Sequence, residues 1–290
     1  MRLKAMAKIN LALDVTGKKP DGYHEVRMIM QTIGMYDRIE MNRSKIPGIH
    51  MTTNLPYLPT DERNLAVKAI RLLMDEFQIE DGVDVELFKM IPIAAGMAGG
   101  STDAAAAFIG MNHLFHLKLS KRELMKRAAK LGADIPYCIL RGTALAEGIG
   151  EKLTALPEIP PCYILIAKPG IVVSTKHVYS NLKLDEIHHH PDVDGMIQSI
   201  RDESLEGIVT RLENVLETVT IPEYPVIDEI KQMMIEEGAL GSLMSGSGPT
   251  VFGIFRDRKQ AEKAMERLKK SELAKRIVLT TPFNRKNRKR

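Results

Sequence analysis

Two cysteines in 290 residues, Cys138 and Cys162, are too few for a disulfide framework. No CxxC pair and no zinc-type Cys/His spacing occurs, so thiolate-bound metal is not expected. The pattern suits two buried thiols in a reducing compartment, with a single disulfide as the alternative. No run of 18 apolar residues is present, so no membrane span is expected. The opening MRLKAMAKIN lacks the apolar core of a signal peptide, and a cytoplasmic protein is expected. Strong charge of one sign is also lacking. Lys and Arg total 41 against 37 Asp and Glu, and the excess sits in RKNRKR at 285–290, leaving a near-neutral body. Nucleic acid is therefore not an expected partner. The tail reads as a solvated end, with phosphate attraction as the alternative.

What is present is an ordinary globular balance, 44% hydrophobic and 27% charged, in a chain long enough for two domains. Residues 8–15 alternate: Ile9, Leu11, Leu13 and Val15 on one side, Lys8, Asn10, Ala12 and Asp14 on the other, which predicts a half-buried strand. KPDG at 19–22 is a turn, and 23–31 returns as a strand. Helices are predicted over 64–77 (Leu65, Ala69, Leu72, Leu73 and Phe77 facing the core) and 101–113. A third ends near Leu131, with Ser120 and Glu123 as a capping box and Gly132 as its stop. Strands are predicted at 83–88, 163–167, 250–255 and 277–281, and further helices at 226–237 and 259–270. Strands and helices alternate irregularly, without repeats, so the fold class is α+β. Three prolines between 157 and 161 place a boundary near residue 158, giving domains 1–158 and 159–290.

The strongest chemical signal is PIAAGMAGGSTDA at 92–104. Small residues let backbone N–H groups approach an anion, and the helix that follows favours negative charge. The loop is neither a Walker A sequence nor G-x-G-x-x-G; the alternative is a tight loop with close helix packing. SGSGPT at 245–250 is a weaker second loop, or a plain turn. Lys8 and Asn10 lie about 7 Å apart along one strand face, to hold an anion or only to meet solvent. Asp134, just past Gly132, is placed to accept a hydroxyl proton, or to cap the next turn. Tyr23 and His24 suit stacking on a flat base, or strand packing. His188, His189 and His190 read as a surface loop rather than a metal site. No G-x-S-x-G elbow supports a hydrolase.

Taken in order, AKINL at 7–11, DGYHE at 21–25, the 92–104 loop, GADIP at 132–136 and MSGSGPT at 244–250 resemble the GHMP kinases. Within them the resemblance is to the branch acting on cytidine-diphosphate methylerythritol. It covers residues 7 to about 255. It implies an N-terminal domain like domain 2 of ribosomal protein S5 and a ferredoxin-like C-terminal domain. It implies transfer of the ATP γ-phosphate, with Mg²⁺, to the C2 hydroxyl of 4-diphosphocytidyl-2-C-methyl-D-erythritol in non-mevalonate isoprenoid precursor synthesis. By position, Asp134 takes the hydroxyl proton, and Lys8 orients that aspartate and the hydroxyl. Asn10 contacts substrate, Tyr23 and Tyr179 flank the cytosine, His24 reads its edge, and Thr175 lines the same pocket. The triphosphate is wrapped by Gly96, Gly99, Gly100, Ser101 and Thr102, within a loop that includes Pro92, Ala94, Ala95, Met97 and Ala98. Asn64 and Lys89 fall where the family meets adenine. Alanines at 94, 95 and 98, in place of glycine in some members, imply negative φ there. Met97 replaces a commoner leucine, and Asp103 stands where some members have asparagine. The alternatives are a homoserine- or mevalonate-type kinase, a non-catalytic ATP and ligand sensor, or an RNA binder using the S5-like fold. The expected partners are small molecules, as a monomer or homodimer.

Overall fold

A computed structural model describes residues 1–20 and 22–284; Asp21 of the expected turn and the basic segment 285–290 lie outside the described residues. The elements in chain order are β1 (Arg2–Lys18), β2 (His24–Ser44), β3 (Ile49–Thr53), α1 (Leu65–Phe77), β4 (Gly82–Phe88), α2 (Gly99–Leu114), α3 (Lys121–Ala128), α4 (Asp134–Leu140), β5 (Thr143–Gly148) and β6 (Lys152–Ala155). They continue with β7 (Tyr163–Lys168), α5 (Thr175–Asn181), α6 (Val193–Arg201), α7 (Leu205–Val209), β8 (Glu213–Asn214), α8 (Glu217–Glu223), α9 (Val226–Glu236), β9 (Gly241–Met244), β10 (Val251–Phe255), α10 (Arg258–Ser271) and β11 (Arg276–Thr280). The fold is α+β, as expected.

Two compact units interleave along the chain. The first comprises Met1–Ala7, Met35–Ile93 and Ala98–Leu140; the second comprises Lys8–Gly34, Ala94–Met97 and the chain from Arg141 on. The expected boundary near 158 falls inside the second unit.

In the first unit β4 pairs parallel with β3 and antiparallel with the latter half of β2, in the register Arg38↔Phe88 to Ser44↔Gly82. Helix α1 packs on α2, and α4 packs on both α2 and α3. Asn64 caps α1, accepting from Ala66 N, and the buried stripe is Ala66, Val67, Ala69, Ile70, Leu73 and Met74. That stripe is rotated from the expected one, leaving Leu65, Leu72 and Phe77 half-buried at its edges. Helix α2 buries every residue from Thr102 to Phe108. Its alanine run combines high helix propensity with side chains small enough to be covered all round. The Ser120–Glu123 capping box opens α3 as expected.

In the second unit β5 lies between β6 and the first half of β2, and β8 adds parallel to β1 at Ala12↔Glu213 and Leu13↔Asn214. A separate antiparallel sheet has the order β11-β7-β10-β9. Residues 164–167 and 251–255, apolar without alternation, are buried on both faces. Helices α9 and α10 pack on this sheet. Residues 281–284 then run back along β2: Gly34 N donates to Thr281 O, Phe283 N to Thr32 O, and the buried Gln31 amide to Phe283 O.

One expectation is corrected in β1. The alternating stretch is buried on both faces, with Lys8, Asn10 and Asp14 each under 9% exposed. The polar side chains find partners inside, and so tolerate cover. Cys138 and Cys162 are both buried thiols. Among the described residues, no helix is long and apolar enough to cross a membrane.

Candidate active site

The side chain of Lys8 turns to the same face as Asn10, as strand geometry requires. Its Nζ donates to Asn10 Oδ1 at 2.6 Å and to the carbonyl of Gly96 at 3.0 Å. Lys8 is 5% exposed and Asn10 fully buried. Both acceptors are uncharged, and among the described residues of the same unit no carboxylate pairs with Lys8. An ammonium has three N–H donors, and two are committed. A buried cation held only by neutral dipoles remains short of its hydration energy, so the position favours an incoming anion.

The Gly96 carbonyl also accepts from Ser245 Oγ at 3.0 Å. Gly96 has φ of +70°, and a Cβ there would stand 2.0 Å from the Ser245 carbonyl oxygen. Only glycine fits this crossing. Ala94 and Ala98 correct the expectation of negative φ: they sit at 50° and 56°, in the left-handed region, while Ala95 does not. An isolated alanine there costs about 1–2 kcal/mol. At Ala98 the conformation starts α2, its carbonyl accepting from Thr102 N at 2.9 Å.

Among the described residues no side chain caps α2. The first-turn N–H groups at Gly99, Gly100 and Ser101 therefore face outward from the helix end, where an anion is favoured. Thr102 contributes differently from the expectation: its hydroxyl donates to Met6 O at 2.8 Å and it is buried. Lys89 also differs. Its ammonium is buried against Asp37 and Asp103, and its backbone N and O are both bonded to Asn54. It presents no charge to a base. Asn64 is occupied in capping α1 and in donating to Pro59 O.

Asp134 is the first residue of α4 and half-buried, with Ile135 N bonded back to Gly132 O.

In the second unit, the His24 and Tyr179 rings lie 5.2 Å apart at 40°, and Tyr23 is 61% exposed. Burial, and then Lys18, hold the His24 imidazole below its usual range, so it favours the neutral form. Thr175 Oγ1 and Ser247 Oγ share a 2.8 Å hydrogen bond. The three histidines at 188–190 are exposed; His189 meets Glu213 and His190 meets Asp14.

Family models match in two places: the GHMP kinases N terminal domain at residues 64–142 and the GHMP kinases C terminal domain at 196–274. The chain belongs to the GHMP kinases. A 4-diphosphocytidyl-2-C-methyl-D-erythritol kinase of Lachnospira eligens is 54% identical, and one of Lachnoclostridium phytofermentans 55% identical, each over 98% of both chains. A crystal structure of a 4-(cytidine 5'-diphospho)-2C-methyl-D-erythritol kinase is 30% identical with a TM-score of 0.84, covering 98% of this chain and all of that one. A homoserine kinase from Cytophaga hutchinsonii shares the fold, with a TM-score of 0.74 at 21% identity.

Several residues of this GHMP kinase that hold the loops carry no local sequence signal. The Asn214 amide donates to both Met244 O and Gly246 O at 2.8 Å, clamping the 245–250 loop. Glu217 Oε1 accepts from Met244 N, and Lys231 pairs with its other oxygen at 2.6 Å. Burial raises the Glu217 carboxyl, against the pull of Lys231. Asp37 and Asn54 hold residues 89–91 in the same manner. Apart from the Lys231–Glu217 pair, each contact spans 27 residues or more. Only a buried polar residue in an apolar stretch hints at such a role, and Asn214 beside Val215 and Leu216 is such a case.

Proposed function

We propose that this GHMP kinase transfers the γ-phosphate of ATP to the C2 hydroxyl of 4-diphosphocytidyl-2-C-methyl-D-erythritol, the sugar alcohol named in its relatives. The observation that carries the chemistry is the buried Lys8 ammonium, held by two neutral acceptors with one N–H uncommitted. The substrate rests on relatives above 50% identity over nearly the whole chain.

The first-turn amides of α2, with Gly96 and the alanines before it, receive the triphosphate. Asp134 accepts the proton as the hydroxyl oxygen attacks the γ-phosphorus in line and the bond to the β-bridging oxygen breaks. Lys8 offsets negative charge at the transferring group, where positioning and electrostatics supply most of the rate. Tyr23 and Tyr179 bracket the cytosine, the neutral His24 reads its edge, and Asn10 and Thr175 line the acceptor pocket. Mg²⁺ travels with the nucleotide. Among the described residues no group of three or more His, Cys, Asp or Glu is assembled for a metal, which suits an ion held mainly by phosphate oxygens and water. Domains 1–158 and 159–290 each enclose one family match. Two buried thiols suit a reducing cytoplasm.

A coupled ADP-release assay tests the reading with this acceptor, homoserine and mevalonate side by side. Turnover with the cytidine compound alone is expected. Turnover with homoserine or mevalonate and none with the cytidine compound would overturn it.

A further inference from the structure

Asp37, Lys89 and Asp103 meet inside the unit that contains α1 to α4. Lys89 Nζ donates to Asp37 Oδ2 and, at 2.6 Å, to Asp103 Oδ2, and all three side chains are at most 4% exposed. They come from three places along the chain: β2, the residue after β4, and α2. The second oxygen of Asp37 accepts the backbone N–H groups of Met90 and Ile91. Asn54 holds both backbone groups of Lys89, at 2.7 Å and 3.2 Å. Two side chains thus fix three successive N–H groups. On its other side the ammonium lies under the first turn of α2. A Cβ on Gly99 would stand 3.3 Å from Lys89 Nζ and 3.2 Å from Ile91 Cγ2.

Stability alone is a weak account of such a group. Apolar side chains of equal volume generally hold a core as well as buried ions, because desolvation offsets the ionic attraction. Ion pairs differ from apolar contacts in being directional. We propose that Asp37, Lys89 and Asp103 form a positioning triad that locks the first turn of α2 against residues 89–91, presenting its amides in a fixed array to the nucleotide phosphates. The inference rests on the nucleotide site proposed at that turn.

The triad explains why a lysine beside the loop turns its charge inward and why the turn above it begins with glycine. It also gives Asp103 a distinct role. Its Oδ1 is buried with no hydrogen-bond partner among the described residues. Burial pushes this carboxyl well above the usual carboxylate range; Lys89 pulls it back, and Asp37 adds to the rise. The raised carboxyl favours the neutral acid at Asp103, whose Oδ2 accepts from Lys89. Asparagine then reproduces it, with the amide oxygen accepting from Lys89.

The test measures ADP and ATP binding by calorimetry, without acceptor, on the full chain. Asp103→Ala cuts the link to α2 and leaves a one-to-one Lys89–Asp37 pair, which keeps the fold. It should weaken nucleotide binding by about tenfold, with Tm little changed. Asp103→Asn should restore most of that loss, which simple packing would not predict. Hydrogen exchange adds a second readout: in Lys89→Met, peptides covering 89–103 should exchange faster than in wild type. Wild-type affinity in a folded Asp103→Ala protein, no recovery in Asp103→Asn, or unchanged exchange in Lys89→Met would each overturn the triad. Failure of the wild-type chain to bind nucleotide would overturn the site itself, a result separate from any of these.

Discussion

Lys8 Nζ and Ser245 Oγ donate to the same oxygen, the carbonyl of Gly96, each at 3.0 Å. One peptide group thus orients the ammonium and ties down the 245–250 loop. Replacing Lys8 by methionine keeps the volume and leaves Ser245 bonded to that carbonyl. Turnover should fall by at least about 10²-fold, the scale of one lost electrostatic donor. Tm should move little, since the lost donor to Asn10 Oδ1 is offset by removing a buried charge, and the Asn10 amide keeps Met28 Sδ. A steady-state assay and a melting curve on one preparation check both. Turnover within tenfold of wild type would remove Lys8 from the chemistry.

Asp134→Asn should keep nucleotide affinity and lower turnover by at least about 10²-fold, as expected on losing a general base. Calorimetry with ADP and single-turnover kinetics separate the two quantities. Near-normal turnover would reduce Asp134 to a helix-start residue.

The glycines of the first loop should divide into two kinds. Gly96→Ala forces a Cβ to 2.0 Å from the Ser245 carbonyl at positive φ. It should lower Tm by several degrees, from about 1–3 kcal/mol of overpacking. At Gly100 the nearest atom to a new Cβ is Leu65 Cδ1 at 3.7 Å, so Gly100→Ala should melt as wild type does. Any loss of ATP affinity there then reports on the ligand rather than the fold. Equal melting of both variants would contradict the interlock of Gly96 and Ser245.

Tyr23→Ala should raise the acceptor KM by about 5- to 150-fold, from roughly 1–3 kcal/mol of stacking, with the ATP KM nearly unchanged. His24 adds a pH signature. Its pKa is lowered, so the neutral ring persists as pH falls through the range where a free histidine gains its proton. The acceptor KM should stay flat there and rise only at lower pH, and His24→Ala should remove the rise. A rise in the ATP KM of either variant would reverse the assignment of the two pockets.

Removing 285–290 should leave activity within about twofold, since no motif lies there. Removing four residues more deletes the backbone partners of Thr32 and Gly34 and the carbonyl bonded to Gln31. That longer truncation should lower Tm measurably, and equal Tm values would show the returning segment to be dispensable.

Much of this was legible in the sequence, because the signals were local. Apolar runs marked β7 and β10, Ser120 with Glu123 marked the start of α3, and small residues before an alanine-rich helix marked the first loop. What escaped depended on distant partners. The period-2 pattern of β1 predicted one exposed face, and the structure covers both. Alanine at 94 and 98 suggested ordinary φ, but the turn enforces the left-handed region. Lys89 was placed at the adenine by resemblance, and nothing local shows that its ammonium meets Asp37, 52 residues earlier. Asn214 and Glu217 were passed over for the same reason.

The pairing of β1 with β8 sets a schedule for the growing chain. Ala12 and Leu13 leave the ribosome about 200 residues ahead of their partners Glu213 and Asn214. At about 5–20 residues per second, that edge of β1 waits on the order of 10–40 s. Throughout that interval the stretch at Ala12 and Leu13 is a strand with an open edge, the kind of segment that pairs with the wrong neighbour. Yield in cells should therefore respond to chaperone supply and translation rate before it responds to the stability of the finished enzyme.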